Sequence, residues 1–303
     1  MDPAVLLVNR SARRAGTGAW LDAVTSELAQ RFALEVRYPR DVADSLSTAR
    51  SASAAGAVVI VGGGDGTVGI VAHALAGTGG TLGILPLGTA NDLARELGVP
   101  GDVRASARAI ARGTVHPTDL VSVNGRHFAT VGGLGLVSRS TTDVARLRAG
   151  PASGLVRIAG ASVYRIAATV GMLRRRVTGG VRVSWHDPDD DVEHERVLDI
   201  HGLFITNHRT CGGGLVIPTG ARADDGIFEL ALVPATNRAR LVGRFARLSA
   251  GMTLGPDALL VLRADRAEIE TEYADVFVAD GDPLATGHRF TVAAHRSAVG
   301  IVR

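Results

Sequence analysis

The sequence predicts two domains, the first of the α/β class and the second rich in β-strands. The chain has 303 residues, about twice a usual domain length, and 46% of them are hydrophobic, which is enough for buried cores. Its first third alternates apolar runs with amphipathic segments, whereas hairpin signals and strand-like runs follow residue 115. We therefore predict domains at residues 1–115 and 116–294, with residues 295–303 completing the first.

Strands and helices alternate in the first domain. The apolar run from Ala4 to Val8 predicts a strand, and Trp20, Val24 and Leu28 at four-residue spacing predict the next helix. Further predicted elements are a strand at 33–36, a helix at 43–54, a strand at 57–61, a helix at 68–75, a strand at 81–85, and helices at 92–97 and 102–112. This order predicts a mainly parallel sheet covered by helices.

The pattern changes after residue 115. Apolar runs flank Asn124-Gly125 between Leu120 and Val131, which is the strongest short signal for a hairpin. Further strands are predicted at 181–185, 197–206, 227–233 and 275–279, helices at 153–175 and 237–250, and a turn at 187–191. The closing run from Ser297 to Val302 is expected to return to the first domain.

The composition excludes several classes of site. All 33 basic residues are arginine, so the chain has no lysine for a Schiff base or a P-loop. One cysteine, Cys211, excludes an intramolecular disulfide framework and a cysteine-based zinc site. The net charge of +3 is small and the arginines are scattered, so nucleic acid is not an expected partner. No export signal is visible, and Arg157 and Arg165 interrupt the most apolar stretch, which argues against a membrane span.

A glycine-rich loop, Gly62-Gly63-Gly64-Asp65-Gly66-Thr67, joins a predicted buried strand to a predicted helix. Glycines let backbone N–H groups approach a phosphate, and the helix N-terminus adds positive partial charge, so the loop predicts phosphate binding. A plain turn is the alternative. The loop also fits the dinucleotide pattern GxGxxG, but the acidic residue expected about 20 residues later is missing. Asp65 among phosphates is compatible with a bridging cation such as Mg²⁺.

A second loop, from Pro86 to Arg95, again joins a strand to a helix. The loop contains four polar residues, Thr89, Asn91, Asp92 and Arg95. If Thr89 or Asn91 were only the N-cap of the helix, that role would explain one of the four and leave the other three unexplained. The loop is therefore a second candidate for ligand binding.

The stretches GGGDGT and PLGTANDLAR, in this order and spacing, resemble the diacylglycerol kinase catalytic superfamily, specifically bacterial lipid kinases related to sphingosine kinases and more distantly to NAD kinases. The segment 207–227 and Asp280-Gly281-Asp282 extend the resemblance to nearly the whole chain. It implies a Rossmann-like βαβ domain, a C-terminal β-sandwich domain, and ATP in the cleft between them.

The resemblance also assigns roles to residues. The implied nucleotide-binding residues are Asn9, Arg10, Ser11, Arg13, Gly63, Gly64, Asp65, Gly66, Thr67, Gly88, Thr89 and Asn91. The side chain of Asp225 and the main-chain carbonyls of Arg222 and Ile227 are implied ligands of Mg²⁺. Asp282 is the implied acceptor of the proton from the substrate hydroxyl, and Asp280 and Asp65 are further catalytic candidates.

Three positions depart from the pattern of the family. Gly69-Ile70 stands where Asn-Glu is usual, and residues 9–13 read Asn-Arg-Ser-Ala-Arg instead of Asn-Pro-x-Ser-Gly. Asp282 stands where glutamate is expected. Aspartate is one methylene shorter, and a misplacement of about 1 Å costs about 100-fold in rate. Reduced activity, a shifted substrate and an inactive kinase are all compatible with this departure.

The expected function is ATP-dependent phosphorylation of a hydroxyl of diacylglycerol or a related amphiphile. Two alternatives stay open: a kinase for a soluble alcohol such as NAD or a natural product, and a degenerate nucleotide-binding regulatory module without turnover. The segment 153–175 is either an ordinary packed helix or a surface that meets anionic lipid. The expected location is the cytoplasm, with contact at the inner membrane face. A homodimer is compatible with the sequence, which carries no signal for oligomeric state or for the acceptor.

Overall fold

The computed structural model describes residues 1–9, 19–88, 91–138, 179–211 and 215–303, and these group into two compact units. Unit 1 comprises Met1–Leu120, His127–Ala129 and His295–Arg303, and unit 2 comprises Val121–Arg126 and Thr130–Ala294. The strands and helices in chain order are β1 (Asp2–Val8), α1 (Ala19–Leu28), β2 (Phe32–Arg37), α2 (Val42–Ala54), β3 (Val58–Gly63), α3 (Asp65–Leu75), β4 (Thr81–Pro86), α4 (Asp92–Glu96), α5 (Val103–Arg112), β5 (Val115–Val123), β6 (Arg126–Phe128), β7 (Val131–Gly135), β8 (Gly180–Asp187), β9 (Val192–Thr206), β10 (Thr210–Cys211), β11 (Leu215–Val216), β12 (Phe228–Pro234), α6 (Arg238–Ser249), β13 (Leu260–Ala264), β14 (Arg266–Ala279) and β15 (Asp282–Val302).

Unit 1 contains a parallel sheet with the strand order β15-β4-β3-β1-β2. Only the end of β15 takes part, where Gly300 lies opposite Thr81 of β4. Because neighbouring strands are parallel, the loops that follow β1, β3 and β4 lie at the same edge of the sheet. The parallel sheet predicted from the alternation of strands and helices is confirmed.

Helices cover both faces of this sheet. Successive residues of a strand point to opposite faces. Leu6 belongs to a buried cluster with residues of α1 and α5, whereas Leu7 belongs to a second cluster with residues of α2, α3 and α4. Both residues are at most 1% exposed. The strands are apolar on both faces for this reason, as is usual in parallel sheets.

Three histidines that are far apart in the sequence meet in unit 1. His73 lies near the end of α3, His127 on β6 and His295 on β15. The Nδ1 atom of His73 accepts a hydrogen bond from the main-chain N–H of His127 and lies 3.2 Å from its Nδ1 atom, and the rings of His127 and His295 are 4.6 Å apart. Burial, with smaller contributions from His295 and His73, lowers the pKa of His127 to about 4.

Unit 2 is built from antiparallel strands. The path β13-β12-β9-β7-β14 is extended by β8, which pairs with β9 and β14, and by the first part of β15, which pairs with β14. Asn124 and Gly125 have φ angles of 50° and 76°, the left-handed conformation of a tight hairpin turn between β5 and β6. The predicted hairpin is confirmed.

Some strands of unit 2 are much longer than the sequence predicts. β9 has 15 residues, whereas the apolar run that predicts it covers only 197–206. The difference arises because its first half carries charges on an exposed face, where Glu195 pairs with Arg182 of β8 at 2.8 Å. Such cross-strand ion pairs support a strand without an apolar signal.

Two predicted helices have different outcomes. The helix predicted at 237–250 is α6, and the one predicted at 153–175 lies outside the described residues. Among the helices that the structure describes, none is long and apolar enough to cross a membrane.

Candidate functional site

The loops after β1, β3 and β4 are joined by hydrogen bonds. Asn9, just after β1, donates from Nδ2 to the Thr67 hydroxyl at 2.8 Å and from its main-chain N–H to the Gly62 carbonyl at 3.0 Å. The Leu87 N–H donates to the Gly63 carbonyl at 2.9 Å. The three loops therefore form one connected edge, with the glycine-rich loop in the middle.

The glycine-rich loop leads directly into α3. Its N-cap residue is Gly64, which has φ −99° and ψ −178° and supplies no side-chain hydrogen bond to the first turn. Residues 64–67 are all partly exposed. A helix start without a capping side chain presents N–H groups to an anion, and the helix dipole favours negative charge there. The local geometry is therefore suited to a phosphate group.

Two glycines from different loops come into direct backbone contact. A Cβ added to Gly88 would lie 2.5 Å from the Cα of Gly64, and one added to Gly64 would lie 3.1 Å from the Cα of Gly88. Ordinary van der Waals contact begins at 3.4 Å. Glycine is therefore needed at position 88 so that the second loop can reach the glycine-rich loop.

The second loop is shaped by its own polar side chains. Asn91 has φ 50°, a left-handed conformation that asparagine tolerates better than most residues. Its Oδ1 atom accepts from the Gly88 N–H at 2.9 Å and its Nδ2 atom donates to the Gly88 carbonyl at 3.1 Å. Asp92 forms an ion pair with Arg95 at 2.9 Å. Asn91 therefore fixes the turn, and Arg95 places a cation beside it.

Asp65 links the two loops. The carboxylate of this residue, at the first position of α3, accepts a hydrogen bond on Oδ1 from the Leu93 N–H at 3.2 Å. Leu93 is in the first turn of α4, so Asp65 satisfies an N–H that the helix itself leaves unbonded. This structural contact is additional to the cation-related role that the sequence suggests for Asp65.

The Asp-Asp-Gly turn lies in unit 2. Asp225 accepts a hydrogen bond on Oδ1 from the Ile227 N–H at 3.3 Å, and Gly226 has φ 79°. The guanidinium of Arg222 contacts Asp224 through two hydrogen bonds of 3.0 and 3.2 Å. A carboxylate with main-chain carbonyls on both sides is an all-oxygen donor set, which fits a hard cation such as Mg²⁺.

A second carboxylate accompanies this turn. Glu229 is only 3% exposed, and burial, followed by the charge of Asp225, raises its pKa to about 7. Its Oε2 atom lies 3.4 Å from the hydroxyl of Thr206, which donates to it. Sequence reasoning missed Glu229 because it occupies a strand position with no local motif.

The turn between β14 and β15 holds the two late aspartates in different environments. Asp280 has φ 50°, and its Oδ1 atom accepts from the N–H of Thr130 at 2.9 Å and from its hydroxyl at 2.6 Å. Asp282 is the first residue of β15 and is exposed. The carbonyl of Thr130 also accepts from the Asn207 N–H at 3.0 Å. Thr130 therefore connects the two later stretches that carry the family resemblance.

The structure groups the predicted site residues by unit. Unit 1 brings together Asn9, Gly63, Gly64, Asp65, Gly66, Thr67, Gly88 and Asn91. Unit 2 contains Arg222, Asp225, Ile227, Asp280 and Asp282. Arg10, Ser11, Arg13 and Thr89 lie outside the described residues. No sequence motif signals Thr130, whose position depends on the pairing of strands distant in the chain.

Two family models match the chain. The diacylglycerol kinase catalytic domain matches residues 3–123, and the YegS C-terminal NAD kinase beta sandwich-like domain matches residues 157–298. The second match agrees with the predicted C-terminal β-sandwich domain.

Similar proteins include a "Probable lipid kinase YegS-like" from Pseudomonas aeruginosa strain UCBPP-PA14, which is 34% identical over 289 residues, 94% of this chain and 89% of that protein. A "Diacylglycerol kinase" from Bacillus subtilis strain 168 is 26% identical over 231 residues, 74% of this chain and 71% of that protein. A crystal structure of a diacylglycerol kinase from Bacillus anthracis strain Sterne has a TM-score of 0.74 at 21% identity, covering 99% of this chain and 96% of that one, which shows the shared fold. The chain therefore belongs to the diacylglycerol kinase catalytic superfamily and, within it, to the family of YegS-like lipid kinases.

Proposed function

We propose that this protein is an ATP-dependent kinase that phosphorylates a hydroxyl of diacylglycerol or a related amphiphilic alcohol. The observation that carries the proposal is the pair of loops joined at Gly64 and Gly88, with a helix start that lacks a capping side chain. Phosphoryl transfer needs mainly positioning and charge neutralisation, and rigid N–H groups at a helix start supply both. The names of the relatives support a lipid acceptor.

The nucleotide phosphates are proposed to bind along the glycine-rich loop. Main-chain N–H groups from Gly63 to Thr67 are the donors, and Asn9 holds the Thr67 hydroxyl in a fixed orientation. Asn91 keeps the Gly88 turn in the shape that permits its contact with Gly64. Arg10, Ser11, Arg13 and Thr89 complete the proposed nucleotide site.

Mg²⁺ is the proposed metal ion, with Asp225 and the carbonyls of Arg222 and Ile227 as its ligands. When bound, such a cation neutralises negative charge and stabilises the oxygen-rich turn. The neighbouring Glu229 adds a second acidic group, and a cation held by Asp225 would reduce the repulsion that raises the pKa of Glu229.

Asp282 is the proposed general base. It takes the proton of the acceptor hydroxyl as that oxygen attacks the terminal phosphorus of ATP and ADP leaves. Asp280 is proposed to position the turn and not to take the proton, because its Oδ1 atom already accepts two hydrogen bonds from Thr130. Of the two candidates for the general base, Asp280 and Asp282, the proposal therefore keeps the exposed Asp282.

ADP release by the purified protein tests the proposal, measured with Mg-ATP and a panel of acceptors. The panel contains short-chain diacylglycerol, other amphiphilic alcohols, NAD and small soluble alcohols. We expect turnover with an amphiphilic acceptor. Turnover with NAD or a small soluble alcohol alone would replace the lipid assignment, and ATP binding without ADP release on every acceptor would favour the degenerate regulatory module.

A further inference from the structure

Helix α6 carries an unusual set of charges. It contains four arginines, at positions 238, 240, 244 and 247, and no acidic residue. Arg238, Arg240 and Arg247 are exposed, and none of the three has an ion pair within the described part of the chain. Three cations that have no acidic partner among the described residues therefore lie on this one surface helix.

Among the residues of unit 2 that the structure describes, most other exposed arginines are paired with acids. The ion pairs are Arg182–Glu195, Arg222–Asp224, Arg263–Asp189, Arg266–Glu193 and Arg289–Glu268. Within the described part of unit 2, the unpaired positive charge on α6 is therefore a local feature.

The three arginines are not needed to hold the helix in place. Asn237 caps its start by accepting from the Arg240 N–H at 2.9 Å, and Leu241, 4% exposed, anchors it. The fourth arginine, Arg244, donates to the carbonyls of Pro234 and Asp257 at 3.2 and 2.9 Å. Arg238 and Arg240 lie in the first turn, where the helix dipole favours acidic residues. Their positions are therefore unfavourable for the helix alone.

An exposed apolar side chain follows the helix. Met252, three residues after its end, is 51% exposed, and Val242 and Phe245 on the helix are only partly buried. Cations next to exposed apolar groups are typical of segments that lie in the headgroup region of a membrane. Guanidinium groups pair well with the phosphates of anionic lipids.

We propose that Arg238, Arg240, Arg247 and Met252, here named the α6 surface, dock the protein onto a bilayer that contains anionic lipid. This inference rests on the proposed function, because a kinase for a membrane-resident alcohol must work at the membrane surface. It assigns the contact to α6, which lies in the described part of unit 2.

Vesicle flotation without ATP tests the α6 surface. We expect the protein to bind vesicles of phosphatidylcholine mixed with phosphatidylglycerol, to bind vesicles of phosphatidylcholine alone much more weakly, and to detach as salt rises. The triple variant Arg238→Gln, Arg240→Gln, Arg247→Gln should bind the mixed vesicles about 100-fold more weakly, since each arginine near an anionic surface contributes roughly fivefold.

The matched control is the triple variant Arg50→Gln, Arg108→Gln, Arg196→Gln. These three arginines are also exposed and without an ion pair in the described residues, so the control removes the same charge from other places. It should bind like the parent. The proposal would be overturned if the α6 variant bound the mixed vesicles as well as the parent, or if both triple variants lost binding equally. It would also be overturned if the parent bound neutral vesicles as well as mixed ones. Binding of the parent to immobilised RNA without any binding to vesicles would overturn it as well.

Turnover on a detergent-dispersed acceptor separates this proposal from the kinase assignment. The α6 variant should keep parental turnover there and lose it on vesicles. A parent without any turnover refutes the proposed function but leaves the vesicle comparison valid. A variant with parental thermal stability that loses detergent turnover as well would overturn the docking role.

Discussion

Replacing Gly88 by alanine tests the contact between the two loops most directly. The new Cβ would lie 2.5 Å from the Cα of Gly64 and 2.7 Å from the Oδ1 atom of Asn91. Contact without overlap starts at 3.4 Å, and the obstructing atom is backbone, so the loops must separate by about 1 Å. We expect a loss of roughly 1–3 kcal/mol in the free energy of unfolding, as for other overpacked sites.

The same displacement should impair catalysis. A shift of about 1 Å in a positioning element costs about 100-fold in rate, so kcat/KM for ATP should fall by about that factor in Gly88→Ala. Gly64→Ala should give a smaller effect, because its Cβ would be 3.1 Å from the Cα of Gly88. Steady-state ADP release and thermal unfolding of both variants provide the measurements.

Gly101→Ala is the control for this series. Nothing lies within 4 Å of a Cβ at that position, and its φ is not positive. Its stability and turnover should equal those of the parent. If Gly88→Ala binds and turns over ATP like Gly101→Ala, the inference that this backbone contact builds the nucleotide site is refuted.

Four further predictions concern single side chains. Asp65→Ala should lower the free energy of unfolding by about 1 kcal/mol more than Asp65→Asn, because asparagine can still accept a hydrogen bond from the Leu93 N–H. Turnover should fall in both variants. Equal unfolding curves of the two variants would contradict the capping contact. Mg²⁺ should raise the melting temperature of the parent but not of Asp225→Ala, and an equal response would exclude a metal at this turn. Asp282→Asn should abolish ADP release with little change in ATP affinity measured by calorimetry, and full activity would exclude Asp282 as the base. The pKa of His127 is about 4 in the fold against an ordinary 6.5, so between these values the unfolded chain takes up a proton that the folded chain does not. The free energy of unfolding should therefore fall as the pH drops from 7 towards 4, and it should fall less steeply in His127→Gln. If the urea midpoints of the parent and the variant changed equally with pH across this range, the result would be inconsistent with the shifted pKa.

The sequence predicts the two loops because their signals are local. In each loop, glycines follow a predicted strand and precede a predicted helix, and the whole signal lies within a few consecutive residues. Their connections are not local. The contacts of Asn9 with Thr67 and of Asp65 with Leu93 depend on which strands are neighbours in the sheet, and no pattern in the sequence encodes that order.

Other features were missed for related reasons. β15 extends over 21 residues, but only its last part is an uninterrupted apolar run, because the exposed face of the strand carries polar side chains. The three clustered histidines lack any spacing signal, since the fold brings them from three distant segments. The roles given to Asp225 and Asp282 derive from resemblance, and they stay predictions until the variants above are measured.

The position of the last strand residues affects how the chain folds during synthesis. Gly300–Val302 pair with β4 in unit 1, yet they leave the ribosome after every residue of unit 2. Until then β4 has an unpaired edge, and exposed edges favour aggregation. Unit 2 can begin to fold first, whereas the sheet that carries the glycine-rich loop is completed only when Gly300–Val302 pair with β4. Nascent chains of this protein should therefore depend on protection of that edge until the end of β15 has been synthesised and can pair with β4.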